Sequence, residues 1–296
     1  MPNIHRVTFP VRSYECDFYG HVNQVNYLRY MQEAAVSASA AVGYDETHYA
    51  QLNAIWFIRE LEIEYFNPLK MGDSVNIATW VGDFRRVRSR RFYEMTRAAD
   101  NQPVVKASVD WVYLNRSTGL PQQIPDEMAA AFVPDTAERA QEAERRAKFP
   151  EAPPKPAGAF TMKRRVEWRD IDAAQHVNNA NYLAFMEESG VEAAAARDWP
   201  FDRMQSHNIG IMARKHHIEY RLQATLGEEL DVTTYLAELR RSTVNRIYLI
   251  HRASDNALVA QSCSQFMCVN LARGTLMRFP EDFIRDFADS IAGETV

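Results

Sequence analysis

Apolar positions along the chain follow two periods, and each half of the chain passes through both in the same order. Tyr27, Tyr30, Met31, Ala34, Ala35 and Ala38 recur at helical spacing, with Gly43 placed to end the helix. Tyr182, Phe185, Met186, Ser189 and Ala193 occupy the equivalent places later on. A helix so rich in alanine on its apolar face suits close approach to a sheet. The period then changes to two. Leu61, Ile63 and Tyr65 alternate with Glu60, Glu62 and Glu64, and Val75, Ile77, Thr79 and Val81 follow. Val105, Ala107, Val109, Trp111 and Tyr113 alternate with Lys106, Ser108 and Asp110. Asp100-Asn101-Gln102-Pro103 supplies a turn between strands, as does Asp255-Asn256. One helix followed by a run of antiparallel strands predicts an α+β fold.

The two halves match residue by residue. Asp17-Phe18-Tyr19-Gly20-His21-Val22-Asn23-Gln24-Val25-Asn26-Tyr27-Leu28 returns as Asp172-Ala173-Ala174-Gln175-His176-Val177-Asn178-Asn179-Ala180-Asn181-Tyr182-Leu183, 155 positions later. The same offset relates Ile63-Glu64-Tyr65 to Ile218-Glu219-Tyr220, Asn115 to Asn270, Gly119 to Gly274 and Pro125 to Pro280. A duplication without gaps predicts two copies of one domain, over residues 1–132 and 159–296. Residues 133–158 read as a linker. Within it Ala137 to Lys148 favours a solvated helix, which Pro150, Pro153, Pro154 and Pro156 then break. A single sheet of this kind leaves an edge exposed. The two copies are therefore expected to join edge to edge as an intramolecular pseudo-dimer.

Composition narrows the function classes. The 296 residues suit about two domains, and 46% apolar with 25% charged residues reads as soluble and globular. A formal net charge of −5 argues against nucleic acid as a partner. No apolar run reaches the roughly 18 residues of a membrane span, and Met1-Pro2-Asn3-Ile4-His5-Arg6 lacks the apolar stretch of a signal peptide. Cys16, Cys263 and Cys268 have no metal-ligand spacing and form an odd set. A cytoplasmic protein without metal or cofactor is expected.

The repeated polar segment holds the candidate chemistry. An Asp just before a helix is often only an N-cap. The alternative is a carboxylate that activates water or attacks a carbonyl, beside unpaired helix-opening amides and the positive end of the helix dipole. Asp17 and Asp172 fit either role. His21 and His176, with Asn23 and Asn178, would orient the carboxylate or polarise a substrate. The amides from Asn23 to Tyr27 and from Asn178 to Tyr182 would hold an oxyanion. Recurrence of the Asp, His and Asn in both copies favours chemistry in at least one of them.

The segment from Trp168 through Asp172, His176-Val177-Asn178-Asn179 and Tyr182 to Glu187-Glu188-Ser189 resembles the hotdog-fold thioesterases. The likeness is greatest to the 4-hydroxybenzoyl-CoA thioesterase family and the related acyl-acyl carrier protein (ACP) thioesterases. Asp17, His21, Val22, Asn23, Asn26 and Tyr27 repeat the pattern. The resemblance implies tandem hotdog domains, with Asp17 and Asp172 as catalytic carboxylates, and Asn26, Tyr27, Asn181 and Tyr182 at the substrate. It implies hydrolysis of an acyl-CoA or acyl-ACP thioester in fatty acid metabolism, with coenzyme A as part of the substrate. Many plant acyl-ACP thioesterases carry an Asn where this chain has Tyr19 and Ala174, and a Glu where it has Pro68 and Gln223. These departures favour acyl-CoA. A hotdog hydratase or dehydratase, and a non-catalytic acyl-thioester-binding protein, are the alternatives. A homodimer of two such chains stays open.

Other groups are weighed against plainer roles. Arg85, Arg86, Arg88, Arg90 and Arg91, echoed by Arg240, Arg241 and Arg246, suit coenzyme A phosphates or a solvated hairpin end. His216-His217 are expected on opposite faces of a strand, and Cys16 as a small buried residue. Glu33 and Glu188 match each other in the helix, either facing a site or solvated.

Overall fold

The apolar stripe that begins at Tyr27 lies on an 18-residue helix, α1 (Gln24–Ala41), which buries Tyr27, Tyr30, Met31, Ala34, Ala35 and Ala38. The helix ends where Gly43 adopts a left-handed φ of 88°. In this computed structural model residues 3–133 and 148–292 are described. They fall into two compact units, Met1–Lys148 and Phe149–Val296. Residues 137–147 of the expected linker helix lie outside the described residues.

In the first unit β1 (His5–Pro10) precedes α1, and a short α2 (Glu46–Gln51) leads into β2 (Ala54–Tyr65). Three further strands follow, β3 (Ser74–Arg85), β4 (Arg88–Arg97) and β5 (Pro103–Asn115), and then α3 (Asp126–Phe132). The strands pair antiparallel in the order β1-β3-β4-β5-β2. The period of two is reflected in burial: Leu61, Ile63, Val75, Ile77, Thr79 and Val81 are all buried. α1 packs on this face, where its alanines permit close approach.

The second unit repeats the plan. β6 (Phe160–Arg165) precedes the long helix α4 (Asn179–Ala195), the short α5 (Phe201–Ser206) and β7 (Ile209–Tyr220). β8 (Glu229–Ala237), β9 (Thr243–Arg252) and β10 (Leu258–Asn270) complete an antiparallel order of β6-β8-β9-β10-β7. Small additions follow: β11 (Thr275–Leu276), α6 (Glu281–Asp286) and β12 (Ile291–Ala292), the last parallel to β8. The turn residues Asn101 and Asn256 adopt matching left-handed φ values of 56° and 55°, a conformation asparagine tolerates. Each unit is a helix laid on an antiparallel sheet, the hotdog plan. No helix among the described residues is long and apolar enough to cross a membrane.

The chain just before β6 belongs to the packing of the second unit. Phe149 lies 4.6 Å, centroid to centroid, from the His217 ring. The Tyr235 hydroxyl donates to the Pro153 carbonyl at 2.7 Å, and Arg197 Nη2 donates to the Gly158 carbonyl at 2.7 Å.

The two cores differ in polarity. Where the first unit has Leu61, Ala107 and Val109, the second has His216, Ser262 and Ser264, all buried. His216 Nδ1 lies 2.7 Å from Ser264 Oγ, which lies 2.8 Å from Ser262 Oγ. Burial drives the His216 pKa from 6.5 down to about 3, so the ring is neutral at physiological pH.

Candidate active site

The Asp17 loop is a tight hairpin closed by its own backbone. Cys16 bridges to Val22, the Asp17 N–H donates to the His21 carbonyl at 2.8 Å, and the Gly20 N–H donates to the Asp17 carbonyl at 2.9 Å. The Asp17 carboxylate accepts the N–H groups of Tyr19 at 2.9 Å and His21 at 3.3 Å. The second copy superposes this pattern: the Asp172 N–H donates to His176, Gln175 to Asp172, and Asp172 Oδ1 accepts the Ala174 N–H at 2.9 Å. Gly20 and its counterpart Gln175 both take left-handed φ values, 74° and 68°. Gly20 does so without penalty, whereas Gln175 carries a Cβ through the same bend. Asp172 has further partners. Its Oδ2 accepts from Asn178 Nδ2 at 3.3 Å, and His176 Nδ1 lies 3.8 Å from its Oδ1. Both carboxylates are partly exposed.

Each helix start is capped by the Asn that the sequence places there. Asn23 Oδ1 accepts the Val25 N–H at 2.9 Å, and Asn178 Oδ1 accepts the Ala180 N–H at 3.0 Å. The Asn26 and Asn181 N–H groups donate to the carbonyls of the same two caps. Upstream, the Asn23 and Asn178 N–H groups donate to the Glu15 and Asp170 carbonyls. Most of the amides expected to hold an oxyanion are thus engaged in capping. The Asn179 N–H, first in α4, finds no acceptor among the described residues and adjoins the cap that contacts Asp172.

The four residues expected at the substrate grip the backbone. Asn26 Nδ2 donates to the Glu15 carbonyl at 2.8 Å and Asn181 Nδ2 to the Asp170 carbonyl at 3.1 Å. The Tyr27 hydroxyl accepts the Leu69 N–H at 3.2 Å, and the Tyr182 hydroxyl accepts that of Ala224 at 3.0 Å. Both tyrosines are buried. Burial raises the Tyr27 pKa, and raises that of Tyr182 to about 12. His21 and His176 are half-buried, and burial lowers both pKa values against the opposing pull of Asp17 and Asp172. Both imidazoles are therefore neutral near pH 7.

Two acidic residues that sequence reasoning passed over support these loops. Glu15 and Asp170, related by the same offset of 155, are buried. Glu15 accepts the Arg12 N–H at 2.7 Å and the Tyr30 hydroxyl. Asp170 accepts the Glu167 N–H at 2.9 Å and Arg164 Nη2 at 3.1 Å. The surroundings are exchanged between copies. Phe9 stacks on Tyr30 in the first, whereas Arg164, in the place of Phe9, lies 4.8 Å over the Phe185 ring in the second. The recurrence of an acid two positions before Asp17 and Asp172 was the available signal.

The arginine set divides. Arg85, Arg86 and Arg88 are exposed, Arg90 reaches Glu62 and Ser108, and Arg91 and Arg246 are buried. Cys16 is half-buried, and Glu33 and Glu188 are exposed. No grouping of three or more metal-ligating side chains occurs among the described residues.

With fold and loop geometry in hand, the class of protein follows from comparison. A model of the thioesterase-like superfamily matches residues 11–132 and again 166–287, so the chain belongs to that family as a tandem repeat. Among curated proteins it is 26% identical over 195 residues to a chloroplastic acyl-[acyl-carrier-protein] hydrolase of Cuphea viscosissima, covering 63% of this chain and 47% of that protein. It is 23% identical over 247 residues to oleoyl-acyl carrier protein thioesterase 1 of Arabidopsis thaliana, covering 79% and 65%. The chain spans about half the length of the first such relatives. Two solved structures share the fold. The 12:0-ACP thioesterase from Umbellularia californica has a TM-score of 0.70 at 19% identity, covering 90% of this chain and 94% of that one. An acyl-ACP thioesterase from Bacteroides thetaiotaomicron has 0.68 at 17%, covering 89% and 97%.

Proposed function

We propose that the chain hydrolyses acyl thioesters, with Asp172, and Asp17 in the first copy, as the acting carboxylate. One observation carries this reading. Asp172 stands partly exposed beside a helix start whose leading N–H, at Asn179, has no acceptor among the described residues. A capping Asp would accept the helix amides itself, but Asn178 does that. Asp172 instead holds its hairpin through one oxygen and meets Asn178 Nδ2 with the other.

In this mechanism the carboxylate takes a proton from water as the water oxygen adds to the thioester carbonyl, and the Asn179 N–H stabilises the oxyanion. The carbonyl re-forms, the carbon–sulfur bond breaks and the thiolate leaves with a proton. Direct attack by the carboxylate, giving an anhydride that water then opens, uses the same geometry. Neutral His176 orients the Asp172 side.

The acyl carrier follows from two opposed observations. The relatives are named as acyl-ACP hydrolases and thioesterases, which supports acyl-ACP. Tyr19, Ala174, Pro68 and Gln223 depart from the plant pattern, which supports acyl-CoA as the second reading. Thiol release from matched acyl-ACP and acyl-CoA of one chain length separates them. Absence of release from both, with the folded protein, removes the hydrolase reading.

A further inference from the structure

At the far end of the helix–sheet layer from the Asp17 loop lies a polar cluster with no anionic partner among the described residues. Arg91, on β4, is 6% exposed and packs against Phe132 of α3. Among the described residues its Nη1 reaches only the Thr79 hydroxyl, at 3.4 Å, and its guanidinium lies 5.4 Å over the Phe132 ring. The Thr79 hydroxyl is itself committed to the Phe92 carbonyl at 2.9 Å. Among the described residues no carboxylate pairs with Arg91. Around it, on the same core-facing side of β4 and the adjoining β5, stand Tyr93 and Trp111. The buried Tyr93 hydroxyl and Trp111 Nε1 lie against each other and Thr79, and the Tyr49 hydroxyl against Ser39 and Trp56, but none of these contacts has full hydrogen-bond geometry.

A buried guanidinium cannot shed its charge, and leaving it without an acceptor is expensive. A buried guanidinium without an anion, ringed by polar groups that satisfy one another poorly, calls for an occupant. Trp111 and Arg91 only donate, so the occupant must accept, and a carboxylate suits the planar fork best. The second copy retains the core of this arrangement. Arg246, 9% exposed, meets Thr234 at 3.4 Å, with Tyr248 in the place of Tyr93, and the buried Ser189 hydroxyl has no partner among the described residues.

The position points to what the occupant belongs to. His5 pairs with Thr79 across β1 and β3, and its ring meets Ser37 at 2.9 Å, which sets this row about 20 Å of helix beyond the capping Asn23. In the second unit a Cβ on Gly190 would lie 3.7 Å from Arg246 Nη1, about 18 Å beyond Asn178. Resting on the thioesterase reading, we infer that the Arg91 cluster is a specificity site for acyl groups that carry an oxygen acceptor, foremost a carboxylate, remote from the thioester.

The test uses pantetheine thioethers, which cannot be hydrolysed and carry the arm common to both carriers. One series of medium to long alkyl chains is compared with a matched series ending in a carboxylate, by calorimetry on the whole chain. The carboxylate series is expected to bind about tenfold tighter or better at one chain length. Arg91→Met should erase that difference while leaving alkyl affinity intact, and Tyr93→Phe should narrow it. Equal affinity of the two series for the unaltered protein, or binding of neither, overturns the inference and leaves the cluster to ordered water. Thiol release from plain acyl thioesters reports separately on the hydrolase reading.

Discussion

The Tyr182 hydroxyl accepts the Ala224 N–H at 3.0 Å, while the Ala224 carbonyl accepts the Val177 N–H at 2.9 Å. One residue thereby ties the hairpin that carries Asp172 to the first turn of α4. Tyr27 and Leu69 repeat the tie, with Val22 donating to the Leu69 carbonyl at 2.8 Å. Removing the hydroxyl in Tyr182→Phe strands a buried amide and is expected to cost about 1–3 kcal/mol. Thermal unfolding measures the loss. Thiol release should fall as well, because the loop is no longer held to the helix. An unchanged midpoint would mean that the amide finds another acceptor.

Asp17→Asn and Asp172→Asn separate chemistry from architecture. An amide Oδ1 still accepts the Tyr19 or Ala174 N–H, so the hairpins and the unfolding midpoint should persist. Thiol release from the double variant is expected to fall about a hundredfold or more. The single variants assign the working copy. Full turnover in the double variant would reduce both residues to turn formers.

Acid should destabilise the second unit through His216. The folded protein resists protonating this ring because the charge would be buried, whereas the unfolded chain protonates it near pH 6.5. The unfolded state thus holds more protons between that pH and about 3, and stability falls as pH falls through this window. The slope reaches about 1.4 kcal/mol per pH unit, and the effect is absent above neutrality. His216→Gln keeps a hydrogen-bonding partner for Ser264 but cannot titrate. Urea unfolding near pH 5 and near pH 7 should differ less in this variant than in the unaltered chain.

The two buried acids should respond differently to loss of their arginines. The Arg164 side chain is 17% exposed against Asp170, whereas that of Arg12 is 47% exposed against Glu15. Arg164→Met leaves a buried carboxylate uncompensated and is expected to cost about 3–5 kcal/mol. Arg12→Met should do far less, since the Tyr30 hydroxyl still donates to Glu15. Comparing the two unfolding midpoints checks the ranking.

Much of the fold was legible because burial followed the two periods residue by residue. Ala34 and Met31 on the helix, and Leu61 and Ile63 on β2, are as deeply buried as their spacing predicts. The repeat located both Asp loops, though not their closure as hairpins. It did not separate a side chain that faces substrate from one that holds the backbone. Tyr27 and Asn26 stand beside Asp17 in sequence, but their partners Leu69 and Glu15 are set by tertiary packing. Arg91 was hidden for a related reason. Within a run of five nearby arginines, strand alternation turns it inward while Arg88 stays exposed.

The exchange of Phe9, Glu15 and Tyr30 for Arg164, Asp170 and Phe185 bears on how the halves can evolve or be recombined. A graft that carried only the leading strand from one half into the other would set Phe9 beside an Asp170 stripped of its arginine, or Arg164 beside a Glu15 already held by Arg12 and Tyr30. Such chimeras should survive only when strand, turn and helix are transplanted together, so these three places behave as one inherited cassette.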